Sequence, residues 1–128
     1  ADMGKIILTI ALVVIILALG ISEQVFMQKA FDDLVLRCEE IQQLLIDKDY
    51  SAARKAVLQT KEWWAGKRNI LEFTCPNNDI KDIYKEIGEL EGTLYSEMYD
   101  DSITRTNVIK SMAENSKNLL AYRIKNIL

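Results

Sequence analysis

The sequence contains no histidine, one proline and only five glycines in 128 residues. Without histidine it lacks the commonest general base and the commonest metal ligand in proteins. The scarcity of proline and glycine favours helices over folds rich in tight turns. Sixteen basic and nineteen acidic residues give a net charge of −3, so the chain has no overall basic bias of the kind that nucleic-acid binding requires. We expect a helical protein with no metal site and no nucleic-acid partner.

Catalytic patterns are missing as well. Pairs of acidic residues occur at Asp32-Asp33, Glu39-Glu40 and Asp100-Asp101. Neighbours on a helix point apart, whereas general acid–base chemistry needs carboxyl groups that converge in a pocket. The sequence has no glycine-rich phosphate loop and no histidine partner for a serine or cysteine nucleophile. We therefore expect no catalytic residues, no cofactor and no enzymatic activity.

The two cysteines, Cys38 and Cys75, are predicted to be unpaired. If the chain turns near Asp49, the antiparallel partner of Cys75 lies near Glu23, roughly 22 Å along the helix from Cys38. A disulfide needs Cα atoms within about 7 Å of each other. Cys38 also continues a helical series of apolar residues, so we interpret it as a small core residue.

One long apolar run is present, and it determines the environment of the chain. Residues 6–22 carry no charge and would form roughly 26 Å of helix, against a hydrocarbon core of about 30 Å. Lys5 can extend the span by reaching the headgroups with its ammonium. We predict a single-pass cell-membrane helix, with residues 1–22 as tail and span and residues 23–128 as one domain. The alternative is a cleaved signal peptide, because Ala18-Leu19-Gly20 fits a cleavage site.

Membrane orientation is predicted from the few charges that flank the span. Lys5 and the terminal amine lie at one end, whereas Lys29 and Arg37 lie farther away among several acidic residues at the other. By the positive-inside rule this favours a cytoplasmic N-terminus and an extracytoplasmic domain.

Apolar periodicity predicts four helices after the span. The first continues the span without a break and runs from Glu23 to Ile46. A turn follows at residues 47–51, where Asp49 or Ser51 can cap a second helix from about Ser51 to Thr74. Cys75-Pro76 ends that helix, and Asn77 or Asn78 can cap a third helix. Asp100-Asp101-Ser102 is predicted as the last turn. The predicted core positions are these: Phe31, Leu34, Val35, Cys38, Ile41, Leu44 and Leu45; Ala53, Val57, Thr60, Trp64 and Leu71, flanked by Ala56, Trp63, Ile70 and Thr74; Ile80, Ile83, Tyr84, Ile87, Leu90, Leu94 and Met98; and Ile103, Ile109, Met112, Ala113, Leu119, Leu120, Ile124, Ile127 and Leu128.

The net charges of these helical segments alternate in sign. They are −4 for residues 23–49, +3 for 50–74, −4 for 78–99 and +4 for 102–128. In an up-down-up-down bundle every neighbouring pair would then be oppositely charged. We predict an all-α fold in which an N-terminal transmembrane helix continues into an antiparallel bundle of about four helices. The competing interpretation is that the basic fourth helix faces anionic lipid headgroups.

Two sets of residues are candidates for interaction. Gly4, Ala11 and Ala18 recur every seven residues, so they share one stripe of the span, where small residues permit close approach of a partner helix. Chance placement of common residues explains the same spacing. Trp63, Trp64 and Tyr84 are a candidate partner or ligand surface, and core packing is the alternative for the two tryptophans. Gly88 and Gly92 share a helix face and predict a close helix contact.

The order of these parts resembles a family of small, single-span bacterial membrane proteins, domain of unknown function 4363. The resemblance rests on a short basic start, a span, a Phe31-x-x-Leu34 helix, the Asp49-Tyr50-x-x-Ala53 turn, Trp63 or Trp64, and Asn78-Asp79-Ile80-x-x-Ile83. It implies a spore-forming Gram-positive source and a multi-pass YetF-like membrane protein as partner. Many members have a histidine near the start of the third helix, where this chain has Asn77. The resemblance implies no catalytic residues.

Two functions are compatible with these features. The first is a membrane-anchored interaction or scaffold module, an accessory subunit of a multi-pass membrane protein, with a homo-oligomer as a further option. The second is an extracytoplasmic sensor that binds a small ligand between its helices and signals through a membrane partner. A filled apolar cavity lined by Trp63, Trp64 and Tyr84 would favour the sensor.

Overall fold

The part of the chain that the structure describes is all-α, with four helices that pack against one another. A computed structural model describes residues 2–74 and 78–127. Helix α1 comprises Asp2–Ile46, α2 Tyr50–Thr74, α3 Asn78–Tyr95 and α4 Tyr99–Ile127, and the described residues contain no strand. This confirms the predicted all-α class and the packing of about four helices.

The helices form an antiparallel ring. Each helix packs beside its neighbours in sequence, and α4 returns to pack beside α1. The direction follows from ion pairs: Asp32 of α1 pairs with Lys117 of α4, while Glu39, farther along α1, pairs with Lys110, nearer the start of α4. This is the up-and-down arrangement that short helix connections favour.

Helix α1 has two parts that differ in burial. Residues 2–26 contain no buried side chain, whereas from Met27 onward one side of the same helix enters the core. The change occurs without a break in the helix, as expected from the absence of proline and of a turn signal. The buried apolar residues are Met27, Ala30, Phe31, Leu34, Cys38, Ile41, Leu45, Ala53, Val57, Trp64, Leu71, Ile80, Ile83, Ile87, Leu90, Leu94, Ile109 and Ala113.

The turns after α1 and α3 have the same geometry. Lys48 and Glu97 adopt left-handed backbone angles, with φ of 61° and 58°. In each turn the next residue donates its backbone N–H to a carbonyl five residues back, from Asp49 to Leu44 and from Met98 to Thr93, both at 2.9 Å. These bonds satisfy carbonyls that a helix end would otherwise leave unpaired.

The two turns were predicted with different success. The carboxylate of Asp49 accepts a hydrogen bond from the backbone N–H of Ala52 at 3.3 Å, which confirms Asp49 as the cap of α2. The predicted turn at Asp100-Asp101-Ser102 is wrong, because the chain turns at residues 96–98. Asp100 and Asp101 lie in the first turn of α4, where acidic side chains complement the helix dipole.

Helix α4 buries small polar side chains that its apolar pattern did not predict as core positions. Ser102, Thr106 and Ser116 are buried along with Ile109 and Ala113, at spacings of three and four residues. Thr106 donates its hydroxyl hydrogen to the carbonyl of Ser102 at 2.7 Å, so a polar group enters the core with a partner.

Two further predictions can be compared with the structure. The close helix contact predicted at Gly88 and Gly92 is absent, because no neighbouring atom of the described residues lies within 4 Å of the position a Cβ would occupy at either residue. Cys38 is free and buried, as predicted. Cys75 and the proposed cap at Asn77 lie outside the described residues.

Candidate functional site

The first candidate site is the exposed apolar part of α1. The helix Asp2–Ile46 contains an 18-residue window with a mean hydropathy of 2.7, none of which is buried. By length and composition this helix can cross a membrane, and a signal sequence near the N-terminus has the same properties. Gly4, Ala11 and Ala18 are all exposed in this part, so the chain itself leaves their stripe uncovered.

The predicted aromatic surface is not a single site. Trp64 is 0% exposed and packs against Phe31 with ring centroids 6.0 Å apart. Its indole N–H donates a hydrogen bond to the backbone carbonyl of Ile80 at 3.4 Å. Trp64 is therefore a core residue linking α1, α2 and α3. It offers no surface to a partner or ligand in this structure, and the packing alternative accounts for it.

Trp63 and Tyr84 lie at the rim of the core, each under a guanidinium group. Arg37 of α1 lies 4.4 Å from the Trp63 ring centroid, and Arg68 of α2 lies 4.6 Å from that of Tyr84. Arg68 also donates a hydrogen bond from Nε to Glu72 at 2.8 Å, which holds it over the ring. Cation–π contacts of this kind stabilise the packing of exposed aromatic edges. Both rings are thus already covered on one face by residues of the chain.

A candidate site that the sequence did not indicate lies at the end of the bundle remote from the N-terminal part of α1. We call this end the tip: the turns at residues 47–49 and 96–98 and the adjoining groove between α2 and α3. The groove has a volume of about 170 Å³, and Tyr95 at its edge is 87% exposed. Tyr50 and Tyr99 stack beside the turns, with centroids 3.6 Å apart. The groove is lined by Arg54, Val57, Leu58, Glu91, Leu94 and Tyr95.

The tip was missed because Ile46 and Tyr95 fall off the helical stripes, and because Met98, which was predicted as a core position, is exposed instead. Ile46, Tyr95 and Met98 flank the turns and are all more than half exposed. A single exposed apolar residue is ordinary, and only the fold brings several of them to one end. Neither the groove nor a shallow depression on α1 around Asp33, Leu36, Arg37 and Glu40 includes Trp63, Trp64 or Tyr84.

In the ion pairs that connect two helices, the cation comes from α2 or α4 and the anion from α1 or α3. Lys110 and Lys117 of α4 pair with Glu39 and Asp32 of α1 at 3.5 and 2.5 Å. Lys61 of α2 pairs with Glu91 of α3 at 2.9 Å.

Ion pairs of the same polarity also join α3 and α4, whereas α1 and α2 are joined by a contact between a cation and an aromatic ring. Arg105 of α4 pairs with Glu86 and Glu89 of α3. Between α1 and α2, Lys67 lies 4.7 Å from the ring centroid of Phe26. The cation comes from α2 or α4 and the anion or ring from α1 or α3 in these contacts, whereas Arg37 over Trp63 runs in the opposite sense. The alternation of segment charges thus corresponds to real contacts at three of the four helix boundaries.

Neither a cluster of metal ligands nor a reactive thiol is found among the described residues. They contain no group of three or more histidine, cysteine, aspartate or glutamate residues able to hold a metal ion. Burial raises the pKa of the Cys38 thiol to about 12, and the nearby Lys110 only partly opposes this shift. The thiol is thus protonated at neutral pH and is a poor nucleophile.

Comparisons with protein families, with curated proteins and with solved structures find no match to this chain. The resemblance to the single-span family, and the partner and source that it implies, stay predictions. The arguments below therefore rest on the geometry of the helices.

Proposed function

We propose that the protein is a membrane-anchored helical interaction module. The observation that supports this is the division of α1: one uninterrupted helix exposes an apolar part at residues 6–22 and supplies core residues from Met27 onward. A helix that is apolar all round needs an apolar environment, and nothing in the described chain provides it. The bilayer supplies that environment, and the bundle is then held at the membrane surface.

The continuous helix gives this anchor a mechanical consequence. Because no turn separates the apolar part from the core, the bundle cannot swing on a flexible linker as it would on a glycine-rich one. From Ser22 to Ile46 the helix rises about 36 Å. The tip would therefore stand at a fixed height above the bilayer, within reach of the extramembrane part of a larger protein.

The partner that fits this arrangement is a multi-pass membrane protein, with which the chain would act as an accessory subunit. Within the bilayer, Gly4, Ala11 and Ala18 offer an uncovered stripe where another helix can approach. Outside it, the groove beside Tyr95 offers an apolar contact. The family resemblance points to the same class of partner, of the YetF-like type.

Crosslinking in native membranes, followed by mass spectrometry, tests this proposal. We expect the tagged full-length chain to fractionate with membranes and to yield crosslinks to a multi-pass protein. Ala11→Leu with Ala18→Leu should abolish these crosslinks while leaving insertion intact, because bulky residues prevent close approach. The matched control is Val13→Leu with Gly20→Leu, which enlarges another face of the helix at the same spacing. A chain recovered only in soluble fractions would contradict the anchor, and crosslinks unchanged by the Ala variant would remove the stripe.

The predicted extracytoplasmic position of the bundle needs its own measurement. Lys55 on α2 is exposed, so Lys55→Cys provides a labelling site in the domain. A membrane-impermeant maleimide should label this cysteine in intact cells if the bundle lies outside. Labelling only after cell lysis would place the bundle in the cytoplasm.

A small-ligand sensor is the second candidate, and the groove between α2 and α3 is the observation that favours it. Its volume of about 170 Å³ and its apolar residues, including Val57 and Leu94, suit a small apolar molecule. Native mass spectrometry of the detergent-purified chain would reveal a retained ligand. Leu58→Trp, which fills the groove, should release it. A chain of unliganded mass from native membranes would count against the sensor.

A further inference from the structure

Helix α4 changes its electrostatic surroundings along its length. Arg105, Lys110 and Lys117 pair with acidic residues of α1 and α3. Residues 118–127 follow the last buried position identified in α4, at Ser116, and contain two basic residues but no acidic one. Arg105, Lys110 and Lys117 are thus paired within the bundle. Arg123 and Lys125 follow them in the chain and lie beyond the level of the Lys117–Asp32 pair.

The register between α1 and α4 locates this segment. Asp32 opposite Lys117 and Glu39 opposite Lys110 define one antiparallel register. Continuing it places Tyr122 level with Met27, and Asn126 level with Glu23. The uncharged apolar run ends at Ser22, and the helix rises only about 7 Å from there to Met27.

Side chains at this level suit the headgroup layer of a membrane. That layer is roughly 5–8 Å thick on each side of the hydrocarbon core, so residues 122–126 fall within it when Ser22 marks the boundary of the core. Tyr122 is 63% exposed and Leu119 is 40% exposed, although both are largely apolar. Tyrosine is enriched at this depth, and basic residues there are attracted to anionic lipids.

We propose that residues 118–127 of α4 form a second membrane contact, which binds anionic phospholipid headgroups of the leaflet from which α1 emerges. Tyr122 inserts its ring at the interface, and Arg123 and Lys125 supply the charge. This inference rests on the proposed membrane anchor. A single span leaves the bundle free to rotate about the helix axis, and a second contact on α4 fixes which side of the bundle faces the bilayer.

The test uses lipid photo-crosslinking of the full-length chain in nanodiscs. A benzophenone amino acid replaces Tyr122, and in a matched protein it replaces Val108. Val108 is 42% exposed on the same helix, within about 40° of the same face and about 21 Å farther from the membrane. In phosphatidylcholine nanodiscs with about 30 mol% phosphatidylglycerol, we expect at least about fivefold more lipid adducts from position 122 than from 108. The yield at 122 should fall when phosphatidylglycerol is omitted.

A charge variant tests the lipid class. Arg123→Glu with Lys125→Glu should abolish the dependence on phosphatidylglycerol, because both cations are reversed. Equal yields at the two positions, a yield independent of phosphatidylglycerol, or adducts to a second polypeptide in place of lipid would each overturn the proposal. The same amino acid at Leu12 separates the two ideas. If Leu12 forms no lipid adducts, the anchor itself fails; if Leu12 reacts and position 122 does not, only this inference fails.

Discussion

The two parts of α1 show how one helix can belong to two environments. Both parts are rich in large apolar residues, but residues 6–22 expose them on every side, whereas residues 27–46 turn one face into the core. Leu12 and Leu36 are similarly exposed, at 52% and 62%, yet their neighbours differ. Leu12 lies in a run without a charge, and Leu36 lies between Val35 and Arg37 on an otherwise polar face. The extent of the apolar surface, and not the exposure of any one residue, therefore indicates the environment.

The first prediction has the largest expected effect and tests the packing of the bundle. Trp64→Ala removes a fully buried side chain that contacts α1 and α3, and we expect it to lower the free energy of unfolding by about 3–5 kcal/mol. Chemical denaturation of the full-length chain in a non-ionic detergent, followed by circular dichroism, measures this loss. The apolar part of α1 should keep its helix in the detergent.

The neighbouring tryptophan provides the matched control. Trp63→Ala removes a half-buried ring and its contact with Arg37, with an expected loss of about 1–2 kcal/mol. If both variants cost the same, Trp64 is not the larger contributor to the core, and the assignment of Trp63 to its rim is wrong.

The second prediction tests the exposed apolar part of α1. Leu12→Arg places a charge near the middle of the apolar run, where it costs roughly 2.5–3.5 kcal/mol of insertion free energy. We expect a marked loss from the membrane fraction, measured by carbonate extraction, with the unfolding of the bundle unchanged. Leu36→Arg is the control, because an equally exposed position on the bundle should tolerate the charge. Equal membrane retention of the two variants would contradict a span.

Much of this fold could be predicted because apolar spacing determines burial. The buried edge of α2, formed by Ala53, Val57, Thr60, Trp64 and Leu71, matches the sequence prediction residue for residue. The stripe of α1 is confirmed in the same way at Phe31, Leu34, Cys38, Ile41 and Leu45. In both helices the apolar residues recur at three- and four-residue intervals, and large side chains fill the centre of the ring.

Other features could not be predicted, for identifiable reasons. The turn at residues 96–98 depends on Glu97 in a left-handed conformation, which the sequence conceals because glycine or asparagine usually marks it. Ser102 enters the core because its hydroxyl lies 2.8 Å from that of Thr93, a pairing that only the fold creates. The tip groove needs residues from α2 and α3 together, and no local pattern identifies it.

The third prediction concerns the pH dependence of the bundle. The pKa of Cys38 is about 12 in the folded chain, against about 9 when the thiol is solvated. Between these values the unfolded chain loses the proton first, so stability should fall as the pH rises above 9. The expected loss is about 1.4 kcal/mol at pH 10 relative to pH 8. Denaturation at both pH values measures it.

Cys38→Ala isolates this effect. The variant removes the thiol, so its own pH dependence supplies the baseline for other groups that face the site, Lys110 and Glu39 included. Lys61, whose pKa Glu91 raises, titrates mainly above this range. A wild-type slope equal to that of the variant would mean that Cys38 becomes solvated in solution. Alkylation at pH 8 should also be about a thousandfold slower in the native than in the unfolded chain.

The smallest expected effect concerns the ion pairs that join the bundle part of α1 to α4. Lys110→Glu with Lys117→Glu places like charges opposite Glu39 and Asp32. Exposed pairs contribute only about 0.2–1 kcal/mol each, so we expect a total loss of about 1 kcal/mol at low ionic strength. The loss should shrink in about 1 M salt, where the screening length falls to about 3 Å. Detergent denaturation at both salt concentrations measures it.

A second pair of substitutions on α1 restores opposite charges between α1 and α4 and tests whether charge pairing causes the loss. Glu39→Lys with Asp32→Lys, added to the reversed α4, should recover most of the stability, because the pairs re-form with inverted polarity. The control lies on the same helix: Arg123→Glu with Lys125→Glu should leave unfolding unchanged, since these residues lie beyond the ion pair of Lys117 with Asp32. If reversing Lys110 and Lys117 has no effect on unfolding but weakens association with anionic lipid, the whole of α4 faces the membrane. In that case lipid contact would explain the basic residues along all of α4, and pairing with α1 would explain none of them.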